Sequence, residues 1–160
     1  MNQQELFVFM VMSAWNSHVK RTDLLFDSLT DEQMMQPVAP GKNRVVYLAG
    51  HLAAVNDGMI KLLGIGERLY PQLDDAFINN PDSVSVDSFP ISTVRKAWNE
   101  THQKLAECFN KMKPEEWSMQ HTSISAEDFA KEPHRNKLNV LINRTNHLAY
   151  HLGQVMLVKK

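Results

Sequence analysis

Apolar residues recur along this chain at the spacing of helix faces, in four long segments, and the pattern predicts an all-α protein. The first segment runs from Gln4 to Leu29, with Asn2 and Glu5 at capping-box spacing. Its apolar positions, among them Leu6, Phe9, Met10, Leu24, Leu25 and Phe26, are too dense for one narrow stripe, which predicts a well-buried helix. Thr30-Asp31-Glu32-Gln33 reads as a fresh cap and a short turn, ended by Pro37, Pro40 and Gly41. A second helix spans Arg44 to Leu63, with Asn43 as its cap and Gly64 and Gly66 as its stop. Tyr47, Leu48, His51, Val55, Gly58 and Leu62 share its predicted buried face. The third helix, Ser92 to Met112, buries Val94, Trp98, Leu105 and Phe109. The fourth, Lys137 to Lys160, aligns Leu138, Leu141, Thr145, Leu148, Leu152 and Val155, with Lys159 and Lys160 complementing its dipole.

Two long connections join these helices. Residues 67–91 carry Pro71, Pro81 and Pro90, and residues 113–136 open on Lys113-Pro114-Glu115, with proline at a first helical position. Val84 and Val86 alternate with serines over too short a stretch to make a sheet. Connections of this length are uncommon unless they act, for instance by covering a site. Two helix pairs separated by a long connection suggest a four-helix bundle with one crossover.

The 160 residues fit one domain, residues 1–160, and suffice for a proper core. Hydrophobic residues at 43%, charged residues at 22% and a formal charge of -1 describe an ordinary globular chain. They give no electrostatic case for nucleic acid or an anionic membrane. The lone Cys108 excludes an intrachain disulfide and suits a reducing compartment. It falls in an amphipathic stretch, where a buried, inert thiol is expected. Leu6 to Trp15 has the length of a signal-peptide apolar region, but no positive charge precedes it. No apolar run reaches the roughly 20 residues of a membrane span. The expected location is the cytoplasm.

The candidate chemistry lies in histidines. His147 and His151 are four apart on one helix, so both rings can converge on one ion. His51 lies in the apolar face of the second helix, where a neutral ring needs a partner for its nitrogens. If the second and fourth helices pack together, the three rings meet and leave coordination positions open. His18, His102, His121 and His134 show no comparable pattern and are read as ordinary. The segment His147-Leu148-Ala149-Tyr150-His151 lacks the glutamate a zincin uses as base, and no Glu-x-x-His marks a di-iron bundle. Phosphate loops and nucleophile elbows are also missing from the sequence. Gln154 is placed to hydrogen-bond a ligand or support the site, while Asp57 and Glu67 are lower-standing candidates for a base.

Asn146-His147-Leu148-Ala149-Tyr150-His151-Leu152-Gly153-Gln154, together with Leu48-Ala49-Gly50-His51-Leu52, resembles the signature of the DinB/YfiT-like superfamily. The similarity covers essentially the whole chain. It implies a four-helix bundle, often a homodimer, with a divalent ion of the zinc or nickel type on His51, His147 and His151. Tyr150, Leu152 and the Asn43-Arg44 pair depart from what relatives commonly carry at those places. The resemblance also implies a metal-dependent enzyme, either a transferase using a low-molecular-weight thiol or a hydrolase, acting on a small molecule. The competing expectation is a non-catalytic metal-holding or interaction bundle.

Overall fold

The computed structural model describes residues 1–159, and the chain is all-α. Four long helices, α1 (Gln3–Ser28), α3 (Val45–Leu62), α4 (Ile91–Phe109) and α6 (Lys137–Val155), are joined by segments holding the short helices α2 (Asp31–Met34) and α5 (Ala126–Lys131). Among the described residues there is no strand, only isolated bridges between Pro37 and Arg44 and between Gln120 and Asn136. No helix is long and apolar enough to cross a membrane.

Local chemistry sets most helix ends. Asn2 and Glu5 form the expected capping box on α1, and Thr30 and Gln33 form another on α2. Gly64, at φ 66°, turns the chain away after α3 in the left-handed conformation that glycine adopts without strain. Asn43 does not cap α3. Arg44 holds the cap position without a side-chain bond, and Asp82 from the following connection accepts its N–H at 2.7 Å. The same carboxylate takes the Arg44 guanidinium, which also reaches Asp87. A charge pair therefore pins residues 82–87 to the start of α3.

α3 packs most extensively on α4, α1 packs on α6, and α3 also meets α6. The core is filled from all four helices by Trp15, Phe26, Leu52, Met59, Ile60, Trp98, Leu105, Leu141 and Leu148. The predicted face of α4 is buried as expected. The expectation of a well-buried α1 fails: Phe7, Phe9, Met10 and Leu24 are 55–63% exposed, and only Trp15, Thr22, Leu25 and Phe26 are buried. α1 has neighbours on one side only, so its other apolar residues face outward. The most enclosed side of α3 is that of Leu52, Asn56, Met59 and Ile60, whereas His51, Val55, Gly58 and Leu62 are half-buried at its edge.

α6 ends at Val155 and tightens into a 3₁₀ turn over Met156–Val158. Lys159 therefore lies beyond the helix, and Lys160 is outside the described residues. The second connection contains a helix the hydrophobic pattern did not predict, α5, started by Ser125, whose side chain accepts the Asp128 N–H. α5 has no buried residue, so it leaves no apolar periodicity in the sequence.

Candidate metal centre

α3 presents His51 and α6 presents His147 and His151 to one point. The Nε2 atom of His147 lies 3.1 Å from that of His51 and 3.0 Å from that of His151. The three groups form the one cluster of metal-ligating side chains found among the described residues, with ligand atoms within 4.8 Å of one another. Two nitrogens each about 2.0–2.1 Å from one ion sit about 2.9–3.4 Å apart at angles from square to tetrahedral. The observed separations fall in that range.

Hydrogen bonds on the far side of the rings settle which nitrogen carries the proton. His51 donates Nδ1–H to the Phe77 carbonyl at 2.7 Å, and His151 donates Nδ1–H to Gln154 Oε1 at 2.7 Å. Both rings therefore turn an Nε2 lone pair toward His147. One neutral His147 ring cannot satisfy both lone pairs well, and its own Nδ1 is buried with no partner. A cation at the common point would resolve the crowding of lone pairs, so the donor set fits a divalent ion. Burial, then the neighbouring rings of His151 and His51 and the charge of Arg144, pushes His147 down to about 4. Burial also lowers His151, partly opposed by its bond to Gln154. Both shifts favour the neutral ring, the form that ligates.

The support around the rings comes partly from the first long connection. Phe77 is wholly buried, and its ring lies so close to Gly50 that a Cβ there would sit 2.3 Å from two ring carbons. Glycine next to His51 thus lets the Phe77 segment approach closely enough for its carbonyl to reach the imidazole. Gln154 supports His151, and its amide also donates to the Tyr150 hydroxyl at 3.3 Å. Tyr150 packs edge-on against His151 with ring centroids 5.0 Å apart.

Beside the histidines lies a cleft of about 440 Å³, walled by α3, α6 and both long connections through Gly58, Lys61, Arg68, Ile78, Thr122 and Arg144. It continues the stripe of His51 on α3 and of His147 on α6, starting one turn along from each. The histidines do not line it. A cleft of about 470 Å³ lies on the opposite, α1-facing side of α6, away from the three rings, and takes in His18.

Asp57 is spoken for structurally: it is fully buried, accepts the Leu69 and Tyr70 N–H groups and pairs with Arg68. Those bonds occupy its oxygens and remove it as a candidate base. Glu67 is exposed and outside the histidine cluster. Cys108 is half-buried with its thiol toward the Ile65 carbonyl. His121 and His134 lie in the second connection. His102 lies outside the ligand cluster, as expected, but it is buried: its ring lies tilted 3.7 Å (centroid to centroid) from Trp98 and stacks on Trp15, and it donates Nδ1–H to the Trp98 carbonyl while Asn56 donates to its Nε2. Its spacing of four from Trp98, on the stripe of Leu105, was the signal for that burial. Phe77 had no such signal, because any residue supplies a backbone carbonyl.

No curated protein matches the chain. The sequence profile of the DinB superfamily matches residues 14–155, a span that includes α3, α6 and all three clustered histidines. Matching most of its length, the chain belongs to the DinB superfamily.

Proposed function

We propose that the chain binds one divalent ion, zinc or nickel, on His51, His147 and His151, and acts as a metal-dependent enzyme on a small molecule. The observation that carries this reading is the convergence of three Nε2 atoms whose rings are oriented from behind by Phe77 and Gln154. Outer hydrogen bonds of this kind hold ligating imidazoles in the correct tautomer. Among the described residues no fourth histidine, cysteine or carboxylate joins the cluster, the arrangement that leaves coordination positions for other molecules. When bound, a divalent ion on neutral ligands supplies Lewis acidity that lowers the pKa of a coordinated water or thiol. The protein's own part is to keep His147 and His151 neutral by burial, to fix the lone pairs of His51 and His151 from behind, and to offer an adjoining cleft.

The reaction class in this reading is transfer involving a low-molecular-weight thiol, or hydrolysis. We likewise propose one domain over residues 1–160, a four-helix bundle with residues 67–91 as the crossover, and a cytoplasmic location. A second reading, an interaction protein that pairs with another copy as a homodimer, is favoured by the exposed Phe7, Phe9, Met10 and Leu24 of α1.

Elemental analysis of protein purified without a metal-affinity tag tests the site. The wild type should carry close to one ion per chain, and His147→Ala should lose it. Wild type without stoichiometric metal, or a variant that retains it, ends the metal reading. Metal-dependent conjugation of a thiol to an electrophile would then separate the enzyme from the metal-holding bundle.

A further inference from the structure

Arg144 is the cation its surroundings do not explain. The other part-buried arginines are satisfied: Arg44 by Asp82 and Asp87, Arg68 by Asp57 and Asp74, Arg95 by the Phe26 and Leu29 carbonyls, and Arg135 by Glu132. Arg144 is half-buried on the wall of the α3–α6 cleft, and its Nε is sealed from solvent with no hydrogen-bond partner. Burial disfavours its charge, and no carboxylate is paired to it among the described residues. A partly desolvated guanidinium with no paired anion carries an uncompensated cost, and its planar fork matches a carboxylate or phosphate.

The cleft around it suits such a guest. Lys61 adds a second cation at the exposed rim. Arg68, also on the wall, is already neutralised by Asp57 and Asp74, so the uncompensated charge comes from Arg144 and Lys61. Gly58 leaves the α3 side open, since a Cβ there would meet nothing within 4 Å. Thr122 fastens the opposite wall by bonding its backbone and hydroxyl to α3 carbonyls at Lys61 and Leu62. Arg144 precedes His147 by three residues, and Val55 follows His51 by four, so the cleft begins about one helical turn, roughly 5 Å, from the histidines.

We propose that this cleft binds the anionic end of the substrate, a carboxylate or phosphate, on Arg144 and Lys61, leaving the rest of the molecule beside the three histidines. The assignment of a substrate rests on the metal-enzyme reading above, whereas the anion site itself does not require the ion.

Isothermal titration of succinate and of inorganic phosphate into the chain as purified, and again after chelation, tests it, with uncharged succinamide as control. At least one oxyanion should bind in both states and succinamide in neither. The pair also separates a carboxylate site from a phosphate site. Arg144→Gln should weaken binding about 10- to 100-fold, the effect of losing a charge-assisted pair. Lys61→Gln should weaken it by a smaller factor, and Gly58→Leu, which fills the cleft, should abolish it. All three variants should keep the wild-type metal content. Lys61 is exposed and Gly58 has room, so these two carry the test if Arg144→Gln fails to fold. The proposal is overturned if neither oxyanion binds at millimolar concentration, if succinamide binds as well, or if charge removal leaves affinity unchanged. Loss of the metal reading through His147→Ala would leave the oxyanion titration of the chelated chain intact, so the two failures are distinguishable.

Discussion

Two glycines on α3 make opposite predictions, although both are helical and only eight residues apart. At Gly50, a methyl group would lie 2.3 Å from Cδ1 and Cε1 of Phe77 and 2.7 Å from Cζ. The ring must retreat by about 1.1 Å to reach the 3.4 Å of ordinary contact. It has little room, because Phe77 is fully buried, with Tyr47 and Phe89 at ring-centroid distances of 6.1 and 5.3 Å. Overpacking of this kind costs about 1–3 kcal/mol, offset by about 1 kcal/mol for replacing a glycine inside a helix. Gly50→Ala should therefore lower stability by about 0–2 kcal/mol. Its larger effect falls on the site: the Phe77 carbonyl moves away from His51 Nδ1, and losing such an orienting bond weakens metal binding about 10- to 100-fold. Gly58→Ala is the control, since its methyl meets nothing within 4 Å. It should raise stability by up to about 1 kcal/mol and leave metal affinity unchanged. Urea unfolding of the metal-free proteins reads the first quantity, and competition with a chelating dye reads the second. Metal held as tightly by Gly50→Ala as by wild type, or weakened equally by both substitutions, would refute the role given to the Phe77 carbonyl.

Burial holds His102 at about 4 against an ordinary 6.5, so the folded chain resists a proton that the unfolded chain accepts. Above pH 6.5 both states are neutral there and nothing changes. Between pH 6.5 and 4 stability should fall with pH, by about 3 kcal/mol in total from this group. His102→Phe should flatten that share of the acid limb in urea titrations at pH 7 and pH 4.5, and an unchanged limb would show that His102 is not the source. Gln154→Leu removes the acceptor on His151 and should weaken metal binding about tenfold or more, with stability altered by about 1 kcal/mol. Gln154→Glu should restore the metal affinity in the same dye competition, and equal losses in both variants would assign Gln154 a packing role instead.

Much of the architecture could be read from residue spacing because helical periodicity is local. The capping boxes at Asn2 and Thr30, the glycine stop at Gly64 and the buried stripe of α4 all follow from interactions between residues within a turn or two. The exposure of one side of α1 is not legible in the sequence, because density of apolar residues says nothing about how many neighbours a helix will have. The cap of α3 is equally hidden, because the group that accepts the Arg44 N–H, Asp82, comes from 38 residues away.

The sequence by itself determined that the chain is helical and which three histidines merit attention, since four-residue spacing places His147 and His151 on one face whatever surrounds them. Tertiary structure alone decided the rest of the site. It brought His51 to them by packing α3 against α6, set the Phe77 carbonyl behind His51, and occupied Asp57 with Arg68 and two backbone N–H groups. It also left Arg144 unpaired beside an open cleft. The physical reason is that a residue's burial and hydrogen-bond partners depend on distant segments. Backbone carbonyls carry no residue-specific signal at all, so desolvation and proton affinity appear only once the chain has folded.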